Sequence, residues 1–372
     1  MSVRELTPVL RIFSLLRMKI CNGLLLCMAF AALTATALAS APYYTVKDLG
    51  ALPGSNHGEG FAINAVGEAA GVMAGNGTSQ GSFSSRAFLY RGGQLVDLSV
   101  SLGSPQYSSA LAINLLGQVA GHLTDAAGTK GFVYSGGRAQ VFGWPGSTYT
   151  YAQGLNNRGQ VVGAFDLPGP TFVLHALLRQ HDGTLVDLGT FGGQGASAVA
   201  LNDVGQVVVN VSRGSGENRA VLTQVGGNAP QDLGALRGST YAYAINEVGQ
   251  VVGESGVDGD LESDYHAVLF SGGTLHDLGT LPWGSSSFAL GINNWGQIVG
   301  GGDGYNFYEH GWIFVQGQMY DLNDRLSAPE SGWTVTEARA INDAGQIVGT
   351  AVDAKGTSHA VVLIPGNLPS RP

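Results

Sequence analysis

The chain has 372 residues, 44% of them hydrophobic and only 12% charged, with a formal net charge of −9. Without the first 41 residues, which hold four basic and one acidic side chain, the net charge is −12, and so acidic a surface repels phosphate backbones and speaks against a nucleic-acid partner. Both cysteines, Cys21 and Cys27, fall within those 41 residues; the remainder must be held by its core without disulfides, and roughly 330 residues suffice to bury one.

In chain order, residues 1–41 read as a secretory signal peptide. A basic start (Arg4, Arg11, Arg17, Lys19) is followed by the apolar run Leu24 to Leu33 and by small residues, Ala37 to Ala41, that offer A-x-A cleavage sites. The run is shorter than the ~20 residues of a membrane span, and no later apolar stretch is longer. The expected location is secreted, extracellular or periplasmic. A strand, "YYTVKDLG" from Tyr43 to Gly50, precedes a phrase that recurs seven times: "AINAVGEAAG" from Ala62, "AINLLGQVAG" from Ala112, "GLNNRGQVVG" from Gly154, "ALNDVGQVVV" from Ala200, "AINEVGQVVG" from Ala244, "GINNWGQIVG" from Gly291 and "AINDAGQIVG" from Ala340.

The repeat asparagines, from Asn64 to Asn342, are spaced by 42 to 50 residues, a period that points to propeller blades. Each period holds four short extended segments bounded by turn residues. In the fifth copy they are Ala242–Asn246, Gln250–Glu254, Tyr265–Phe270 and Thr274–Leu278. Asn and Gly at the ends of Asn246-Glu247-Val248-Gly249 suit a type I turn closed by a left-handed residue. Small residues alternate before each asparagine (Ala110/Ala112, Ala152/Gly154, Ala242/Ala244), as the crowded innermost strand of a ring requires. The fourth segment, ending "DLG", is missing after the seventh copy but present at Tyr43–Gly50. The expectation is an all-β, seven-bladed β-propeller over residues 42–366, with four-stranded blades, an N-terminal strand completing the last blade, and a short tail, 367–372.

"DLGTFGG" (Asp187–Gly193), "DLGTLPWG" (Asp277–Gly284), the "AINxxGQVVG" phrase, and His-Ala at His175, His266 and His359 together resemble the bacterial extracellular repeats of the HAF family, across residues 43–364. No copy keeps the full His-Ala-Phe tripeptide; Arg86-Ala87-Phe88 keeps its last two residues. The resemblance implies a secreted propeller and no established biochemical activity.

If the repeat is scaffold, residues that break it are the candidates for function, on loops carried by a rigid frame. Asp258, Asp260, Glu262 and Asp264 alternate in one loop and offer enough oxygens for calcium, the one cofactor considered. Asp303, Tyr305, Phe307, Tyr308, Glu309 and His310 set aromatics beside carboxylates, a pattern able to stack on sugars or grip a peptide. Trp144, Tyr149 and Trp283 lie in connections between copies. The last five residues of the first strands read as apolar, with Arg339 their one charged side chain, and no nucleophile or zinc motif stands in a suitable context. The three repeat histidines are expected to bond a neighbouring strand. These features lead to a monomeric, non-catalytic module that binds an extracellular glycan or protein through one loop face. The alternative is a polysaccharide hydrolase or lyase using a carboxylate pair from the acidic loops.

Overall fold

The computed structural model describes residues 41–75, 84–169, 171–214, 216–227, 229–258, 264–303, 309–327 and 332–366. The chain divides into two units, Met1–Pro42 and Tyr43–Pro372, and the second carries the repeats. No helix among the described residues is long and apolar enough to cross a membrane.

Each copy folds as an antiparallel meander. In the fifth, the strands Thr240–Ile245, Val251–Gly256, Tyr265–Ser271 and Thr274–Asp277 pair in sequence order, close to the four segments read from the sequence. Among the described residues, five sheets have four strands. The first two copies share one eight-stranded sheet because a single parallel pairing, Ser85 with Tyr107, joins them. The last sheet takes its fourth strand from the other end of the chain: Tyr43–Asp48 pairs antiparallel with Ser358–Gly366 over six residue pairs. Tyr44 is fully buried, its carbonyl accepts from Ser327 N at 2.8 Å, and Leu49 N donates to Ala360 O at 3.1 Å.

The first strand of every copy is innermost, and its small residues are buried: Ala110, Ala152, Ala198, Ala289 and Ala338 are wholly inaccessible. The glycine of the "VVG" phrase suits this close fit in the six copies that keep it, whereas the fourth copy has buried Val209 there. A Cβ on Gly163 would overlap Tyr151 O, the neighbouring strand's backbone. Larger residues fill the spaces between sheets, where Phe88, Phe132 and Trp312 are buried. Trp312 is satisfied there, its Nε1 donating to Gly301 O at 2.7 Å.

The repeated asparagines do more than shape their own turns. Asn156 Oδ1 accepts from Arg158 N (3.1 Å) and Gln160 N (3.0 Å), while Nδ2 donates to Gln160 Oε1 at 2.9 Å. The same Nδ2 also donates to Asn202 O, one copy onward, at 3.2 Å. This second bond recurs from Asn64 to Asn114, then to Asn156, Asn202, Asn246, Asn293 and Asn342, and Asn342 returns it to Asn64 O at 2.9 Å. Seven side chains that are at most 5% exposed thus bond their turns and one another's backbones in a closed cycle. Their polar groups are consumed in the scaffold, so they do not form a free polar mouth.

Candidate functional site in the axial channel

Two adjoining cavities of about 250 and 240 Å³ lie on the axis, lined by equivalent residues of all seven copies. They share a waist of seven aliphatic residues that each precede a repeat asparagine: Ile63, Ile113, Leu155, Leu201, Ile245, Ile292 and Ile341. Beyond the waist on one side, the first strands carry a bulge at one fixed position, between the second and fourth residues before the asparagine. A bulge re-aims its extra side chain. The bulged residues, Phe61, Leu111, Gln153, Val199, Tyr243, Leu290 and Arg339, all line the second cavity. Because they are released from the ladder, these positions vary while the rest of the strand repeats.

The strands run further than the apolar phrase, and this corrects the expectation that Arg339 is their one charged residue. His57–Ile63 contains Glu59, and Thr334–Ile341 contains Glu337. Glu337 Oε2 lies 2.7 Å from Arg339 Nε, and the guanidinium sits over Phe61 at 5.1 Å. Burial raises the Glu337 carboxyl, Arg339 lowers it, and the charges of Glu309 and Glu59 add to the rise. Tyr243 donates to Glu254 Oε1 at 2.6 Å; burial and that carboxylate push the phenol well above its ordinary range. Burial also raises Glu254, against the lowering effect of the phenol's hydrogen bond.

On the other side of the waist, the residue after each asparagine lines the first cavity. Among these, Asn157 N donates to Asp203 Oδ1 (2.7 Å), Asp203 N to Glu247 Oε2 (3.0 Å), Glu247 N to Asn294 Oδ1 (3.0 Å) and Asn294 N to Asp343 Oδ1 (2.9 Å). Leu115 N begins the arc by donating to Asn157 Oδ1 at 2.8 Å, but the side chains of Leu115 and Ala65 offer no acceptor, so it does not run round the ring. Burial raises Glu247, the amide of Asp203 lowers it, and the like charges of Asp203 and Asp343 raise it again, with Arg158 opposing. The first cavity is therefore lined by the carboxylates Asp203, Glu247 and Asp343, the second by Arg339, which Glu337 meets, and an apolar waist separates them. The first cavity therefore favours a ligand with donors and positive charge over an anionic one.

The residues proposed from sequence fall on different parts of the chain. Tyr305, Phe307, Tyr308, Asp260 and Glu262 lie outside the described residues. Asp258 and Asp264 flank that acidic loop, where Val257 N donates to Asp264 O at 3.1 Å. Among the described residues, no group of three or more His, Cys, Asp or Glu is placed to hold a metal. Asp303 accepts from Ser285 Oγ at 2.9 Å and stands directly across the ladder from Glu309. Trp283 is 84% exposed with a left-handed φ of 77°. Trp144 stacks on buried Phe165 at 4.1 Å, in the third copy. Tyr149 is exposed and lies edge-on to Phe172, an exposed aromatic that the sequence pattern does not single out. His310 is the fourth member of a repeat position: His175, His266, His310 and His359 meet Asp187, Asp277, Asp321 and Asp48 at 2.6–3.0 Å. The "His-Ala" and "Asp-Leu-Gly" signatures are thus two halves of one inter-strand contact. The same aspartates also accept from the amide two residues on, which is glycine's for Asp48, Asp187 and Asp277 (Gly279 N at 2.8 Å) and Asn323's for Asp321.

No family model matches the sequence, and no curated protein does. The structure is similar to the β-propeller domain of the Trilobed protease from Pyrococcus furiosus, with a TM-score of 0.55 and 7% identity over 86% of this chain and 95% of that one. The chain is a β-propeller. Pyrococcus horikoshii acylaminoacyl peptidase is similar at a TM-score of 0.54 and 10% identity, covering 85% of this propeller and 52% of the peptidase. Puromycin hydrolase reaches 0.51 and 14%, covering 87% and 55%. The propeller therefore spans about half the length of these two enzymes.

These likenesses correct the functional expectation of a non-catalytic module reading a glycan or protein through one loop face. Among the structures of like fold are the β-propeller domain of a protease, an acylaminoacyl peptidase and a puromycin hydrolase. The loop residues behind that expectation are moreover divided between the third and sixth sheets, with Trp144 packed on Phe165 and His310 held by Asp321. The sequence did carry a signal for the channel. Aligning the copies on their asparagines isolates the columns that hold Glu59 and Glu337, Tyr243 and Arg339, and Asp203, Glu247 and Asp343.

Proposed function

We propose that this chain is a secreted, peptidase-related propeller of HAF-like repeats that passes extended peptide segments along its axis in the service of a hydrolytic unit. The observation that carries this reading is the likeness to the propellers of three peptidase structures over at least 85% of the chain. The channel supplies the place. Its two sections, of about 250 and 240 Å³, suit a single extended strand of peptide and are too small for a folded domain. The carboxylates of the first section, Asp203, Glu247 and Asp343, attract lysine, arginine and amino termini.

In this reading the ring has seven blades and is shut. Two features support closure: the asparagine cycle returns from Asn342 to Asn64, and Tyr43–Asp48 completes the sheet of Thr334–Ile341. The Trilobed protease propeller is described as having an open velcro topology; here the first strand is bonded to the last. A shut ring keeps the channel narrow and limits entry to unfolded chain.

The test uses fluorescent, unstructured peptides of about ten residues, an extended length of roughly 33 Å, with anisotropy as readout and mass spectrometry for cleavage. Peptides should bind and neutral oligosaccharides should not. Val199→Trp and Leu290→Trp, which fill the channel at two bulge positions, should each weaken peptide binding by roughly tenfold, or 1.4 kcal/mol. Absent peptide binding, or binding indifferent to both substitutions, refutes the reading.

A further inference from the structure

The turn that follows each repeat asparagine has a second position whose side chain the turn itself does not need; of the apolar residues there, Trp295 alone has a polar group, and its Nε1 donates to Asp343 O of the next copy at 3.0 Å. The turn's amides are already held by the asparagine, as in Trp295 N to Asn293 Oδ1 at 3.1 Å, so any polar residue would serve there, and Arg158 does in the third copy. Yet Val66, Leu116, Val204, Val248 and Trp295 occupy this position in five copies, and all are exposed. Leu116 and Trp295 are each 72% accessible, and Val248 is 70%. Leu115, beside Leu116, is also exposed. Large apolar side chains repeated around one mouth and left in water mark a contact surface.

The interior of that collar is acidic. Asp203, Glu247 and Asp343 line the cavity just inside it, and the amides that they receive satisfy their hydrogen bonding without neutralising their charge. Their mutual repulsion is felt at Glu247, where burial acts in the same direction. A second copy of this chain would present the same carboxylates to these, so a symmetric dimer through this face is disfavoured. The complementary occupant has positive charge at its centre and apolar side chains around it.

We propose that the face formed by the asparagine turns is a docking surface for a partner protein that inserts a lysine or arginine, flanked by apolar side chains, into the acidic mouth. The partner's apolar residues cover Val66, Leu116, Val204, Val248 and Trp295, and its cation meets Asp203, Glu247 and Asp343. The inference stands apart from peptide passage. It requires only that this mouth be covered, and while the partner is seated peptide has access to the opposite mouth alone.

The test uses the full protein and two cyclic β-hairpin peptides that differ at the tip, Leu-Lys-Leu and Leu-Glu-Leu, labelled for anisotropy. The lysine hairpin should bind, and the glutamate hairpin should bind at least tenfold more weakly. Leu116→Ser with Val248→Ser should lower lysine-hairpin affinity by roughly tenfold, with an unchanged melt showing that the exposed positions do not matter to folding. Asp203→Asn with Asp343→Asn should remove the preference between the two tips. Failure of the lysine hairpin to bind, or equal binding of both hairpins by the unaltered protein, overturns the proposal. So does insensitivity to the serine pair. Self-association seen in sedimentation, or binding to phosphatidylcholine vesicles, would also overturn it if the serine pair abolishes that behaviour, because the collar would then serve a second copy or a lipid surface.

Discussion

Replacing Asn156 separates the two duties of the repeated asparagine, turn former and link between copies. In Asn156→Ala, Arg158 N, Gln160 N and Asn202 O lose their partner, and Gln160 Oε1 loses a donor but can rotate to water. A buried polar group left unpaired costs about 1–3 kcal/mol, less where water reaches it, so the three scaffold groups together cost about 3 kcal/mol. With an unfolding entropy near 2.1 cal/mol/K per residue over roughly 320 residues, that loss lowers Tm by about 4–5 °C. Asn156→Asp is the discriminating variant. A carboxylate still accepts from both turn amides and is a good turn residue, but it cannot donate to Asn202 O and would face that carbonyl with negative charge. It should therefore lose about as much stability as the alanine variant at pH 7.5. Burial beside a carbonyl raises the new carboxyl's folded pKa above its unfolded value, so its protonated form is the one favoured by folding. The deficit should shrink as pH falls towards 4 and widen as pH rises through the folded pKa. Guanidinium denaturation at several pH values reads both effects. If Asn156→Asp matches the unaltered protein at pH 7.5 while Asn156→Ala does not, the link between copies contributes nothing and the turn is the residue's whole role.

Deleting Tyr43–Asp48 removes a six-pair ladder and fully buried Tyr44 and exposes the edge of Ser358–Gly366; thermal melting should fall by roughly 10 °C, since the buried side chain is worth about 2–3 kcal/mol and the ladder's hydrogen bonds about 1 kcal/mol each, and an unchanged melt would refute closure by this strand. Glu254→Gln keeps an oxygen for the Tyr243 hydroxyl and removes a charge that the fold disfavours. Because burial raises the Glu254 pKa, its protonated form is preferred by the native state, so stability attributable to it is present at low pH and lost as pH rises through the folded pKa. The glutamine variant should then be more stable than the unaltered protein by about 1 kcal/mol at pH 8 and equal to it at pH 4; equality at both values would place Glu254 in an ordinary aqueous setting. Asp277→Ala loses both the His266 contact and the amide of Gly279 and should cost about 1 kcal/mol, whereas Asp277→Asn, which keeps the turn bond, should cost less than about 0.5 kcal/mol by urea denaturation. The reverse order would show the ion pair to be the larger effect.

The repeat makes much of the fold legible. The four segments of each copy, the Asn-x-x-Gly turn and the small residues of the innermost strands follow from local pattern, because alternation and turn chemistry act over a few residues. The pairing of Tyr43–Leu49 follows from counting "DLG" segments. The His-Ala position does bond a neighbouring strand, as its recurrence implies, whereas His310, in His310-Gly311-Trp312, lacks the alanine and so reads from sequence as a loop ligand. The site is poorly legible. Sequence reasoning favours the insertions that break the repeat, whereas the channel is built from columns inside it, and Glu59 and Glu337 escape notice because the apolar phrase is shorter than the strands that contain it.

The sequence by itself determined what depends on near neighbours: strand lengths to within a few residues, turn types, the order of segments and the positions where only glycine or alanine fits. Tertiary structure alone decided what depends on residues 42 to 50 positions apart meeting around an axis. A bulge looks like one more apolar or polar residue until its ladder partner is known, and only then does it become clear that Tyr243 and Arg339 line a cavity. Likewise, an aspartate after an asparagine is one solvated charge in the sequence. It becomes part of an acidic mouth when the ring of copies brings Asp203, Glu247 and Asp343 together around one cavity, where their like charges repel.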